Sequence, residues 1–257
     1  MQVYQGLSIL TNQPATPTWL VSMWPLSHTS SVGEYAPLAH SAIDEILAGS
    51  RMPIVVGGTG LYLRAALAEL DVPPPPPAGT RARIERLYGE FGPDRTHALL
   101  AKRDPAAAAA VHPNDQRRVV RALELVEAGS SLRPKQDRLW GESTRHPTLV
   151  FTLDVAPQTL AGRIERRTDA MFERGVEQEV RCALAEEISP TARQVIGLRE
   201  IAELPRPEAA EAIVRRTLQY AAYQRKWLRR IPGAVSLAGD RDPEDIADQI
   251  LEVARPR

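Results

Sequence analysis

Cysteine is almost missing: Cys182 stands alone among 257 residues. No internal disulfide can form, and a reduced, cytoplasmic setting is expected. Net charge is missing too, because Lys plus Arg and Asp plus Glu both number 32. No global basic field advertises a nucleic-acid partner, so any such binding must come from local patches. No apolar run of the ~18 residues a bilayer requires is present, and no membrane span is expected. The amino-terminal Met1-Gln2-Val3-Tyr4-Gln5-Gly6 lacks both the basic and the apolar region of a signal peptide. His28, His40, His97, His112 and His146 are scattered without zinc-ligand spacing. No G-x-S-x-G nucleophile elbow occurs, and there is no internal repeat.

What is present is the composition of an ordinary globular chain, 43% hydrophobic and 25% charged. The most informative stretch is Pro53-Ile54-Val55-Val56-Gly57-Gly58-Thr59-Gly60-Leu61-Tyr62-Leu63. A short β-branched apolar run meets glycines and a threonine, and a helical pattern follows. This predicts a buried strand, a tight turn and a helix to about Leu70. Such a turn either holds a ligand with closely approaching backbone N–H groups or simply joins strand to helix. Upstream, Leu20-Val21 is a candidate strand, and Ser31 with Glu34 forms a capping box ahead of a helix carrying Ala39, Ala42, Ile43, Ile46 and Leu47 on one stripe.

The proline run Pro73 to Pro77 can be neither helix nor central strand and marks a boundary. Helical sequence follows at Arg81–Phe91, His97–Lys102, Ala106–Val111 and Gln116–Glu127, and the Pro134 region returns to loop. Thr148 to Asp154 reads as a buried strand. Helices are predicted over Pro157–Phe172, Val176–Glu187, Glu208–Arg230 and Pro243–Ala254, with a short strand at Val235–Leu237. The pattern is α/β, a parallel sheet with flanking helices interrupted by a helical insertion.

Three further constellations could carry chemistry. In the helix opened by Asn114 or Asp115, Arg117 and Arg121 lie one turn apart with Arg118 beside them. They suit phosphate contact, or else form a solvated basic face paired with Glu124 and Glu127. The last long helix carries Arg215, Arg216, Arg225, Lys226, Arg229 and Arg230, with no acid between Arg215 and Arg230. Tyr220, Tyr223 and Trp227 are interleaved, a composition that holds single-stranded nucleic acid unless the aromatics pack inward. Thr191 to Glu200 contains Gly197 at a position suggesting close backbone approach.

Together and in this order, these stretches resemble the bacterial tRNA dimethylallyltransferase (tRNA isopentenyltransferase) family. The resemblance rests on Val3-Tyr4-Gln5-Gly6-Leu7, Val56-Gly57-Gly58-Thr59-Gly60-Leu61-Tyr62, His112-Pro113-Asn114-Asp115 with Arg118 and Arg121-Ala122-Leu123-Glu124, Ala192-Arg193-Gln194 with Ile196-Gly197, and Gln224 with Trp227. It implies a P-loop-NTPase-like α/β core over 1–72 and 147–257, with a tRNA-binding helical insertion over 73–146. It implies transfer of a dimethylallyl group from dimethylallyl diphosphate to the exocyclic amine of the adenosine 3′ of the anticodon. The expected partners are dimethylallyl diphosphate and the tRNA anticodon stem-loop, with Mg²⁺ as cofactor, no membrane, and a monomeric protein. Carried over by position, Gly57, Gly58 and Gly60 form the active-site loop. The tRNA-facing residues would be Met1, Gln2, Thr59, Arg81, Arg117, Arg118, Arg121, Arg193, Gln194, Gly197, Gln224 and Trp227.

The chain also departs from the family pattern. The family's G-x-x-x-x-G-K-[ST] phosphate loop is absent from the sequence, and its general-base aspartate would precede Met1. Gln13, Thr18-Trp19, Leu218 and Tyr223 replace the family's lysine, histidine pair, arginine and basic residue. The expectation is a sequence begun at an internal methionine and weakly active or inactive as written, or a non-catalytic tRNA-binding paralogue. A small-molecule P-loop kinase would need no basic aromatic helix.

Overall fold

The computed structural model describes residues 2–70, 72, 76–77, 79–132, 141 and 143–255. Met1, Pro73 to Pro75 and the Pro134 region lie outside the described residues. In chain order the elements are α1 (Val32–Ala48), α2 (Gly60–Leu67), α3 (Thr80–Arg103), α4 (Pro105–Ala108), α5 (Gln116–Glu127), β1 (Phe151–Asp154), α6 (Pro157–Glu173), α7 (Val176–Leu184), a 3₁₀ turn (Ala192–Gln194), α8 (Leu198–Glu203), α9 (Arg206–Leu228), β2 (Val235–Ala238) and α10 (Pro243–Ala254). They form two compact units, one of residues 1–69 with 140–257 and the other of residues 70–139.

Local chemistry explains several helix boundaries. Ser31 accepts from the Glu34 N–H at 3.2 Å, and the Glu34 carboxylate accepts from the Ser31 N–H at 3.1 Å, so α1 opens on the reciprocal capping box its sequence spells. Asp115, rather than Asn114, caps α5 by accepting from the Arg118 N–H at 3.1 Å. α3 is two helices meeting at Gly92, whose φ of +77° lies in the left-handed region, with Pro93 next in the chain.

In the second unit, Ile84 and Leu100 of α3 pack on Val119 and Leu123 of α5. In the first unit, Tyr4, Leu7 and Leu10 from the amino-terminal turns pack on Met171, Phe172, Val176, Val180, Leu198 and Ile213. Glu179 of α7 fastens those turns. Its carboxylate accepts from the Ser8 hydroxyl at 3.0 Å and from the Ile9 and Leu10 N–H groups at 2.8 Å each. α1 is tied to a later loop through Asp44, which accepts from both terminal nitrogens of Arg145 at 3.2 and 2.8 Å and bonds His146 Nε2 at 2.9 Å.

The sheet departs from the sequence expectation. β1 and β2 pair in parallel, Phe151 opposite Val235 through Asp154 opposite Ala238. Pro53 to Val56 is extended but is not a strand, and Leu20-Val21 lies in turns, with only a Tyr4–Trp24 bridge nearby. Ile54 and Val56 are 83% and 89% exposed, and Leu153 in β1 is 54% exposed. A β-branched run becomes a buried strand only where a neighbouring strand satisfies its backbone and a layer covers its side chains. Among the described residues neither exists for Pro53 to Val56.

Two predictions follow from these contacts. Hydrogen bonds from Arg145 and His146 hold the Asp44 carboxyl below its ordinary value, at about 2. A depressed folded-state value contributes stability above the unfolded value near 3.8, and that stability is lost as pH falls towards about 2. The thermal midpoint of the parent should therefore fall more steeply than that of Asp44→Asn between about pH 4 and about pH 2, in parallel melts across that range. Replacing Ile54 and Val56 together by lysine should leave the midpoint within about 2 °C of the parent while lowering light scattering at high concentration.

Candidate functional site

The glycine loop and the carboxy-terminal half of α9 make one surface within the first unit. Cβ atoms are excluded at two loop positions. A Cβ on Gly58 would lie 1.9 Å from Gln224 Nε2, and one on Gly60 would lie 1.8 Å from Trp227 Cδ2. Neither glycine needs a left-handed backbone here; each is required for close approach. Between them, the Thr59 hydroxyl is exposed and shares a 2.7 Å hydrogen bond with the Tyr220 hydroxyl. Gly57 meets nothing within 4 Å. Tyr220, Gln224 and Trp227 fall at i, i+4 and i+7 and so share one helix face. Arg225 donates to the Val155 carbonyl at 2.9 Å, holding the same turn of α9 at the end of β1.

α9 is held in place further up by a half-buried ion pair. Arg216 bonds the Glu200 carboxylate, whose second oxygen accepts from the Gly197 N–H at 2.9 Å. Burial pushes the Glu200 carboxyl up, but hydrogen bonds from Arg216 and from backbone N–H groups bring it below its ordinary value. Gly197 has φ +99°, and a Cβ there would meet Leu10 Cδ1 at 2.5 Å. Gly197 is buried under Leu10 and Ile213, so its place is in packing rather than on an open face.

The other residues singled out from the sequence are used in several ways. Gln2 donates its amide to the Thr11 and Asn12 carbonyls at 3.0 and 2.7 Å. Arg193 and Gln194 are exposed on the 3₁₀ turn, and Arg193 Nε donates to the Ile188 carbonyl at 3.2 Å. In the second unit, Arg117 and Arg118 are exposed and make no ion pair among the described residues. Arg121 does not share their open face. It pairs at 3.1 Å with Glu124, only 1% exposed, which Arg81 also approaches at 3.6 Å. The buried carboxylate needs cations more than the helix surface does. Glu127 pairs with Arg83 and Arg103 instead of the α5 arginines.

Tyr220, one of the aromatics interleaved with the basic residues of α9, is brought to the glycine loop through Thr59, a contact its i, i+4, i+7 spacing with Gln224 and Trp227 allows. Arg64 of α2 is buried and ties that helix to a later loop by donating to the Gly141 carbonyl at 2.7 Å; desolvation lowers the pKa of its guanidinium. An open groove of about 630 Å³ between α6 and α9 is lined by Glu165, Asp169, Glu211, Arg215 and Leu218, and by no residue of the glycine loop. No three His, Cys, Asp or Glu side chains among the described residues converge to hold a metal ion. Among the described residues, the protein alone therefore builds no three-ligand cradle for Mg²⁺.

The family profile described as IPP transferase matches residues 2–231. The chain belongs to the IPP transferase family. A tRNA dimethylallyltransferase of Streptomyces coelicolor is 38% identical, over 93% of this chain and 80% of that protein. One from Acidothermus cellulolyticus is 37% identical over 100% of this chain and 82% of that one. Among solved structures, a eukaryotic dimethylallyltransferase acting on tRNA superposes with a TM-score of 0.77 at 26% identity, over 100% of this chain and 72% of that chain. The tRNA isopentenylpyrophosphate transferase of Bacillus halodurans gives 0.67 at 28% identity, over 98% and 84%. The mixed α/β architecture, a small parallel sheet among many helices, is thus that of IPP transferases, and the chain is an enzyme by family.

The loop contact in this IPP transferase is testable by paired substitutions. Gly60→Ala should cost about 1–3 kcal/mol, because the Trp227 ring or the loop must move. Gly57→Ala should stay within about 0.5 kcal/mol, having open space. Urea melts give both values, and a shift in tryptophan emission should accompany Gly60→Ala alone.

Proposed function

We propose that this chain carries the tRNA-facing residues of a tRNA dimethylallyltransferase acting in the cytoplasm. The reaction transfers a dimethylallyl group from its diphosphate to the exocyclic amine of the adenosine 3′ of the anticodon. The observation that carries this reading is the glycine loop packed without side chains against Gln224 and Trp227, with the Thr59 hydroxyl held at the surface by Tyr220. It stands in a chain whose relatives carry that activity in their names.

The amine nitrogen bonds to the allylic carbon as the carbon–oxygen bond breaks. Diphosphate leaves with the bonding electrons, and the amine proton passes to a general base. An adenine inside a helical stack cannot present its amine to that carbon, so it must be flipped out. The loop's part is to receive the flipped base. Thr59, paired with Tyr220, offers a hydroxyl that can donate or accept, and the Gln224 amide adds both functions. These neutral groups orient a base and are poor proton acceptors. In the second unit, Arg117 and Arg118 offer guanidiniums to tRNA phosphates. The sequence contains no G-x-x-x-x-G-K-[ST] loop to cradle the diphosphate, so slow or absent turnover is expected from these 257 residues by themselves.

Two measurements test the reading. Filter binding with unmodified tRNA should give an affinity that falls steeply with salt, and Arg117→Gln with Arg118→Gln should flatten that dependence by about 1–2 in log–log slope. Incorporation of labelled dimethylallyl diphosphate into tRNA should be far below that of its dimethylallyltransferase relatives, and any activity present should fall about tenfold in Thr59→Ala. Absence of tRNA binding would overturn the proposal, and full turnover would overturn the expectation that the phosphate side is lacking.

A further inference from the structure

Tyr223 plays no part in the loop contact, and the structure leaves its ring open. It is 58% exposed on α9. Its ring lies 6.5 Å from that of Tyr220, with only 21° between their planes. Tyr220 is half-buried and fixed by its hydroxyl contact to Thr59, so it anchors the inner end of a two-ring shelf whose outer ring faces solvent. Burial does not account for an aromatic ring held in this way. A partly exposed aromatic surface beside cations is the composition on which unpaired bases stack.

The neighbours suit that use. Ala221 and Ala222 are small, and Ala222 is exposed. Lys226 is exposed and one turn from Tyr223, at the i, i+3 spacing that sets its ammonium beside the ring. A base on Tyr223 would therefore carry its backbone phosphate within reach of a cation. A tyrosine ring is indifferent to base identity, because every base has a π-face. The shelf takes a neighbour of the reacting nucleotide and fixes its path without reading sequence.

We propose that Tyr223 is a base-stacking residue for single-stranded RNA: an unpaired nucleobase next to the one received at Thr59 lies on its exposed ring, with Lys226 at the flanking phosphate. This rests on the reading of the chain as a tRNA-binding transferase. It adds a positioning residue in which the ring takes the place of a charge.

The test uses the full 257-residue chain and two probes, a synthetic RNA hairpin with an unpaired adenosine-containing loop and a fully paired RNA duplex. 2-Aminopurine is placed at successive loop positions. The parent should bind the hairpin and quench 2-aminopurine at one position. Tyr223→Ala should weaken hairpin binding about tenfold and abolish that quenching, with duplex binding unchanged. Tyr223→Phe should restore both, which a general loss of structure would not allow. Lys226→Gln should lower the salt slope by about 0.7 without affecting the quenching. Equal affinity and quenching in the parent and Tyr223→Ala would overturn this proposal alone. Failure of the parent to bind the hairpin would overturn it together with the reading on which it rests.

Discussion

The arrangement of this protein's candidate site depends on the contact of Gly58 and Gly60 with Gln224 and Trp227. Backbone and side chain meet there at distances that leave no room for a Cβ. Because nothing intervenes, the loop's position is set by α9, and the Thr59 hydroxyl is delivered to the Tyr220 hydroxyl at 2.7 Å. A larger residue at either glycine would push the loop away from the helix and break that register. α9 also carries Arg225 onto the end of β1, so one helical segment fixes both the loop and the strand terminus.

That segment is held in turn by polar contacts that reach back to the amino-terminal turns. Glu179 gathers the Ser8 hydroxyl and two successive N–H groups, placing Leu10 over Gly197. Gly197 gives its N–H to Glu200, and Glu200 pairs with Arg216 on α9. Two carboxylates, each accepting from several donors, thus link turns near residue 10 to a helix some two hundred residues later. The same logic recurs in the second unit, where the buried Glu124 draws on Arg81 and Arg121. In both places a buried carboxylate draws arginine side chains toward itself.

Sequence patterns were most reliable where the cause is local. The Ser31–Glu34 capping box, the Asp115 cap and the bounds of α5 and α10 follow from residues three or four positions apart, and those residues interact whatever surrounds them. The basic, aromatic stripe of α9 was equally visible, and its spacing contained Tyr220 as well as Gln224 and Trp227. Pro53 to Val56 shows the opposite case. Its β-branched run has the right composition for a buried strand, yet Val56 is 89% exposed, because strand formation depends on a neighbour that composition does not specify. Arg121 was similarly ambiguous: helical periodicity places it near Arg117, and only the burial of Glu124 tells the two apart.

By itself, the sequence determined helix positions, the family, and the residue types present at the glycine loop and on α9, because periodicity, caps and motifs are written in neighbouring residues. The tertiary structure decided that Gly58 and Gly60 are glycines for close approach rather than for a left-handed turn. It placed Gly197 in packing and Thr59 at the surface, and it left the Tyr223 ring open beside Lys226. These outcomes depend on which distant side chain fills the space opposite each residue, and only the folded chain brings those partners together.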